Sequence, residues 1–169
     1  MAMVLIKQNM SSIQVLEKAA GQGKTLESGK AALVLSHIYS HKIKTRYTQH
    51  VCLIDASFSY CSCSDKVEKD DSRAMRYLKQ AIQFDLVEAV CRMGQVHTYG
   101  LLNQPSDPWR GYQYFLKAAE EGYDLAMLEL AKVYAKGIQG YLAQQPDTAF
   151  RWCQRSAERG LKEAEFTLW

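Results

Sequence analysis

"YFLKAAEEGYDLAMLELAKVYAKG", Tyr114–Gly137, is the stretch whose reading decides the fold. It holds two apolar-periodic runs with one glycine, Gly122, between them, and Gly137 closes it. It contains no His and no Cys, and its adjacent acids Glu120 and Glu121 point in different directions on a helix. Just upstream, Asp107 is placed to cap a helix and Pro108 suits the first helical position. Apolar or small residues at 111, 114, 115, 118 and 119 make one stripe at helical spacing. Gly122 is predicted to end that helix in a left-handed conformation. A second helix then restarts near Asp124, with Ala126 and Ala131 small enough for close helix contact. The segment reads as a helical hairpin that cannot bury its stripe alone and needs stacked neighbours.

Those neighbours are in the chain. Shifting by 37 residues places Tyr77, Leu78, Ala81, Ala89, Val96 and Gly100 on Tyr114, Phe115, Ala118, Ala126, Val133 and Gly137. Shifting by 38 places Tyr114, Phe115, Ala119, Gly122 and Ala126 on Trp152, Cys153, Ala157, Gly160 and Ala164. An earlier copy is visible in "SIQVLEKAAGQG" and "AALVLSHIYS". The expected organisation is a single domain over 1–169, with repeats at about 11–42, 70–100, 107–137 and 146–169. An irregular insert at about 43–69 lengthens the first interval. The expected fold is all-α, a right-handed superhelix of about three and a half helical hairpins.

Composition narrows the function. The 169 residues are 47% hydrophobic, enough for a real core. Residues 1–64 carry seven Lys/Arg against three Asp/Glu, and the remainder carries fourteen against fifteen. Neither balance marks a nucleic-acid binder. No apolar run approaches the length of a membrane span, so membrane insertion is not expected. Five irregularly spaced cysteines argue against a disulfide framework and for a cytoplasmic location.

The residues Ala126, Leu130, Ala131, Tyr134 and Gly137, with Ala149, Trp152, Ala157 and Gly160, carry a family pattern. It resembles the Sel-like repeat family, the α/α relatives of tetratricopeptide repeats. Ala89, Met93, Gly94 and Gly100 match in the second copy, with His97 where the family has Tyr. The longer connectors and the ending "KEAEFTLW" are similar to the fungal chitin synthase activator type. The resemblance implies a non-catalytic scaffold or adaptor that activates a membrane-bound synthase, with no cofactor. The first copy departs from the pattern at Lys42, and the fourth stops at Trp169 within its second helix. An uncapped end there would favour self-association, and a truncated fragment of a longer repeat protein is an alternative reading.

Equivalent first-helix positions form a polar column. Arg76, Gln113 and Arg151 are one set, Gln80, Lys117 and Arg155 another, and Arg73 and Arg110 lie one turn earlier. In stacked hairpins the first helices line the concave face, where a basic stripe would favour an acidic peptide of a partner protein. The opposing reading is an ordinary solvated helix face. His50, Cys52, Cys61 and Cys63 in the insert offer four metal or redox ligands, but Cys-x-Cys spacing strains chelation of one zinc ion. His37 and His41 stand four apart without a third ligand. His97, Cys91 and Cys153 read as core residues. "GQGK" at 21–24 lacks phosphate-loop spacing. No catalytic set emerges.

Overall fold

The structure is a computed structural model that describes residues 12–22, 25–40, 68–162 and 164. The described residues form seven helices. They are α1 (Ser12–Gly21), α2 (Leu26–Ser40), α3 (Asp71–Gln83), α4 (Val87–Tyr99), α5 (Pro108–Glu120), α6 (Asp124–Lys136) and α7 (Pro146–Glu158). One isolated antiparallel bridge, Ile138 to Leu142, is the only β pairing among them. The fold is therefore all-α and built from paired helices, as the periodicity predicts. The chain divides into two compact units, residues 1–86 and 87–169, and the division falls between α3 and α4.

The helix starts and stops obey local chemistry. Asp70 and Asp107 cap α3 and α5, each carboxylate accepting the backbone N–H three residues on, at 2.9 and 3.0 Å. Pro108 takes the first helical position of α5. Gly122 follows that helix with φ +86° and Gly137 follows α6 with φ +72°, the left-handed region that favours glycine. The buried faces repeat: Ala74, Leu78 and Ala81 on α3 correspond to Gly111, Phe115 and Ala118 on α5, and to Ala149, Cys153 and Ser156 on α7.

In unit one, α2 packs on α1 and α3, with Leu35 and Leu78 fully buried. Phe84 and Leu86 lean so close to Gly29 that a Cβ there would lie 2.7 Å from each. In unit two, α4 crosses α5 with glycine on both sides. A Cβ on Gly94 would lie 2.7 Å from the Phe115 ring, and one on Gly111 would strike Thr98 Oγ1. Helix α6 packs on α5 and α7. Leu128, Ala131, Cys153 and Ala164 form the buried cluster there, flanked by Trp152, Ala157 and Leu161.

One backbone joint recurs three times. The N–H preceding each first helix donates to a carbonyl near the end of the previous second helix. Asp70 donates to Tyr39 at 3.0 Å, Asp107 to His97 at 2.7 Å, and Gln145 to Tyr134 at 2.9 Å. The first two joints are each backed by a ring pair. Tyr39 stacks on Tyr77 at 5.9 Å and His97 on Tyr114 at 5.6 Å, with planes within 8° and 7° of parallel. In the third joint Tyr134 turns its edge to Tyr112 instead, and their hydroxyls meet at 3.0 Å. His97 is accordingly a half-buried packing residue, as its place in the repeat predicts.

Candidate functional site

The column residues divide between the two units and differ in what they already do. In unit one, Arg73 pairs with Asp70 at 3.2 Å and donates to the Tyr39 hydroxyl at 3.4 Å. That hydroxyl in turn donates to Glu17 of α1 at 3.0 Å, and Tyr77 donates to the same carboxylate oxygen at 3.3 Å. Burial holds the Tyr39 hydroxyl above its ordinary pKa, the Arg73 bond opposes this, and Glu17 adds to it. Gln80 donates to the Ala20 carbonyl at 2.7 Å. Arg73 and Gln80 thus tie α1, α2 and α3 together. Arg76 lies 5.0 Å over the Tyr77 ring and has no carboxylate partner among the described residues. Sequence reasoning missed the Glu17–Tyr39–Tyr77–Arg73 network because its members come from three helices.

In unit two, Arg110 sits 3.8 Å from Asp107, a loose and exposed pair worth little. Arg155 lies 5.7 Å over the Trp152 ring. Gln113, Lys117 and Arg151 are exposed, and no hydrogen bond or ion pair engages them among the described residues. An aromatic stack that the repeat pattern did not announce stands beside α5. Trp109 lies between Tyr112 at 5.3 Å and Tyr141 at 5.2 Å, and Tyr141 is 66% exposed. On α6, buried Glu129 is held by the Tyr99 hydroxyl at 3.0 Å and Lys132 at 3.2 Å.

The two cysteines among the described residues lie in the core. Cys91 and Cys153 are buried free thiols. Burial pushes the Cys91 thiol up to about 12, and burial also raises Cys153, whose sulfur donates to the Ala164 carbonyl at 3.4 Å. Both act as small core residues, because a reactive cysteine needs a lowered pKa and access. Among the described residues no three His, Cys, Asp or Glu side chains gather to hold a metal. His50, Cys52, Cys61, Cys63 and His41 lie outside the described residues. A cavity of about 590 Å³ at the start of α3 is lined by Glu68, Asp70 and Asp71 beside Lys69 and Arg73; Asp70 is engaged by the cap and Arg73, and Asp71 pairs with Lys69 at 3.1 Å. No helix among the described residues is long and apolar enough to cross a membrane.

Residues 58–83, 87–123 and 124–161 match the family model of the Sel1 repeat, more than half of the chain. The chain belongs to the Sel1 repeat family. The Sel1 frame joins α4 to α5 and α6 to α7, the pairs that the glycine crossing and the Cys153 cluster hold together. Among curated relatives, chitin synthase regulatory factor 3 of Schizosaccharomyces pombe is 28% identical over 163 residues, which are 96% of this chain and 15% of the relative. Chitin synthase regulator SKT5 of Saccharomyces cerevisiae is 31% identical over 104 residues, 62% of this chain and 15% of the relative. Chitin synthase regulatory factor 4 of Schizosaccharomyces pombe is 27% identical, covering 95% and 23%. The chain thus spans less than a quarter of the length of these relatives. Among solved structures, a Sel1 repeat protein from Oxalobacter formigenes superposes with a TM-score of 0.64 at 23% identity, covering 94% of this chain and 98% of that one. A protective antigen of uropathogenic Escherichia coli with the same repeat fold gives 0.63 at 23%, covering 93% and 28%. These two likenesses establish the fold alone. The Sel1 repeat is a non-catalytic scaffold.

Proposed function

We propose that this Sel1 chain docks a partner protein and thereby regulates a membrane-bound synthase, of which chitin synthase is the specific candidate. The observation that carries docking is the set of unspent donors on the first helices of unit two. Gln113, Lys117 and Arg151 project from α5 and α7 without an internal partner among the described residues. Cationic donors of this kind suit an acidic peptide segment. The names of the curated relatives support the synthase. A cytoplasmic site of action belongs to the same proposal, and the two buried free thiols agree with it.

Crosslinking with mass spectrometry in a cell that makes chitin synthase tests this. The wild-type chain is expected to capture the synthase or a protein bound to it. Lys117→Glu/Arg151→Glu is expected to lose that partner while keeping its helical circular dichroism. An identical partner set for both proteins would show that the α5 and α7 side chains are only solvated surface.

A further inference from the structure

Unit one carries a groove of about 500 Å³ between the end of α1 and the exposed side of α3. Arg76, Lys79, Gln80 and Gln83 line it from α3, at helical spacing that puts all four on one face. Ala20 and Gly21 line it from α1, and Phe84 lines it just past α3. We propose that this groove holds side-chain carboxylates of an extended acidic segment of a partner protein, an assignment that rests on the scaffold reading above and adds a binding site in unit one to it.

Charge selects the occupant. Two cations line the groove and no carboxylate does. Neither Arg76 nor Lys79 has an ion-pair partner among the described residues. The Arg76 guanidinium is held over the Tyr77 ring at 5.0 Å, which orients its plane and leaves N–H edges for a carboxylate. Gln80 spends one amide hydrogen on the Ala20 carbonyl and so pins the two walls together. Phe84 packs beside Gly29. The exposed Gln83 amide can pair with a peptide backbone, since it carries both donor and acceptor. The half-buried Phe84 adds apolar surface that a bare ion would not use. Two cations without a row of stacking rings suit a peptide better than a nucleic-acid strand.

Gly21 provides a test independent of charge. A Cβ there meets nothing within 4 Å, so a side chain can start from this groove-lining position, and Gly21→Trp adds bulk there. The probe is a fluorescent deca-glutamate peptide, titrated by anisotropy against the full chain in roughly 50 mM salt, where screening is weak. Saturable binding is expected. Arg76→Glu/Lys79→Glu is expected to weaken it at least about ten-fold, and Gly21→Trp by a similar factor at unchanged charge. Lys136→Glu/Lys162→Glu, two exposed cations of unit two outside both the groove and the docking residues named above, is expected to stay within about two-fold. Circular dichroism checks that each variant is folded. No binding by wild type, no loss in the groove variants, or equal loss in the unit-two variant overturns the groove. Tighter binding of oligothymidylate than of deca-glutamate also overturns it, in favour of nucleic acid. If the groove fails while partner capture persists, the scaffold reading stands without it; if capture also fails, both fall.

Discussion

Gly111 and Gly94 let α4 and α5 approach until backbone nearly meets backbone. A Cβ on Gly111 would strike Thr98 Oγ1 and lie 2.9 Å from the Gly94 carbonyl oxygen, an atom that cannot swing away. Gly111→Ala is therefore expected to destabilise by about 1–3 kcal/mol despite its better helix propensity, read as a lowered urea midpoint. A second residue-scale prediction concerns alkaline pH. Burial, above all, lifts the hydroxyls of Tyr99, Tyr123 and Tyr134 from 10.0 to about 12. It lifts Cys91 from 9.0 to about 12. Glu129 adds to the rise at Tyr99, and the hydrogen bond shared with Tyr112 adds to it at Tyr134. The folded chain thus keeps protons that the unfolded chain releases. Their stabilising contribution is complete below the unfolded values and is lost as pH climbs through about 12. Urea midpoints are expected to hold up to the unfolded thiol value of 9.0 and then decline, and Tyr134→Phe should flatten the decline.

At the scale of the element, the first helices of the last three repeats, α3, α5 and α7, make an internal comparison. Helices α3 and α5 have capping aspartates, whereas Gln145 stands before α7 and its side chain bonds no backbone N–H of that helix. Gln145→Asp is expected to stabilise unit two by about 0.5–1 kcal/mol, and Asp107→Ala to cost about 1 kcal/mol, both measurable by thermal unfolding. These helix ends were legible in the sequence because their causes are local. Asp107, Pro108 and Gly122 act within a turn of themselves. The buried stripe of α5 was legible for the same reason, since periodicity needs no knowledge of the partner. The pairings across helices were not. Nothing in the spacing says that Tyr39 and Tyr77 share Glu17, or that Trp109 stands between Tyr112 and Tyr141. The column illustrates the same limit. Repeat equivalence aligned Arg73, Arg76 and Gln80 with their counterparts, but tertiary neighbours commit Arg73 and Gln80 to internal bonds and leave Arg76 beside Lys79 in a groove.

Across the whole molecule, the three joints are alike although their connectors are not. Residues 98–106 separate one pair of joined groups and residues 40–69 another, yet Asp70 meets Tyr39 at 3.0 Å as Asp107 meets His97 at 2.7 Å. The longer connector leaves and returns at a standard joint. Replacing residues 40–69 with the sequence of 98–106 is expected to keep the helical spectrum. Shorter chain closure should also raise stability by up to about 1 kcal/mol in urea unfolding. Loss of the fold would show that the longer connector does more than close the joint.

The joint is made by main-chain atoms alone, so every residue type except proline at the donor can form it. Heredity can therefore rewrite side chains on either side without cutting the tie. A gene segment copied from one tie to the next would arrive with both of its fasteners already in phase. A lineage could lengthen or shorten such a chain by whole periods, or splice new cargo into a single connector, while the old masonry around it stays in place.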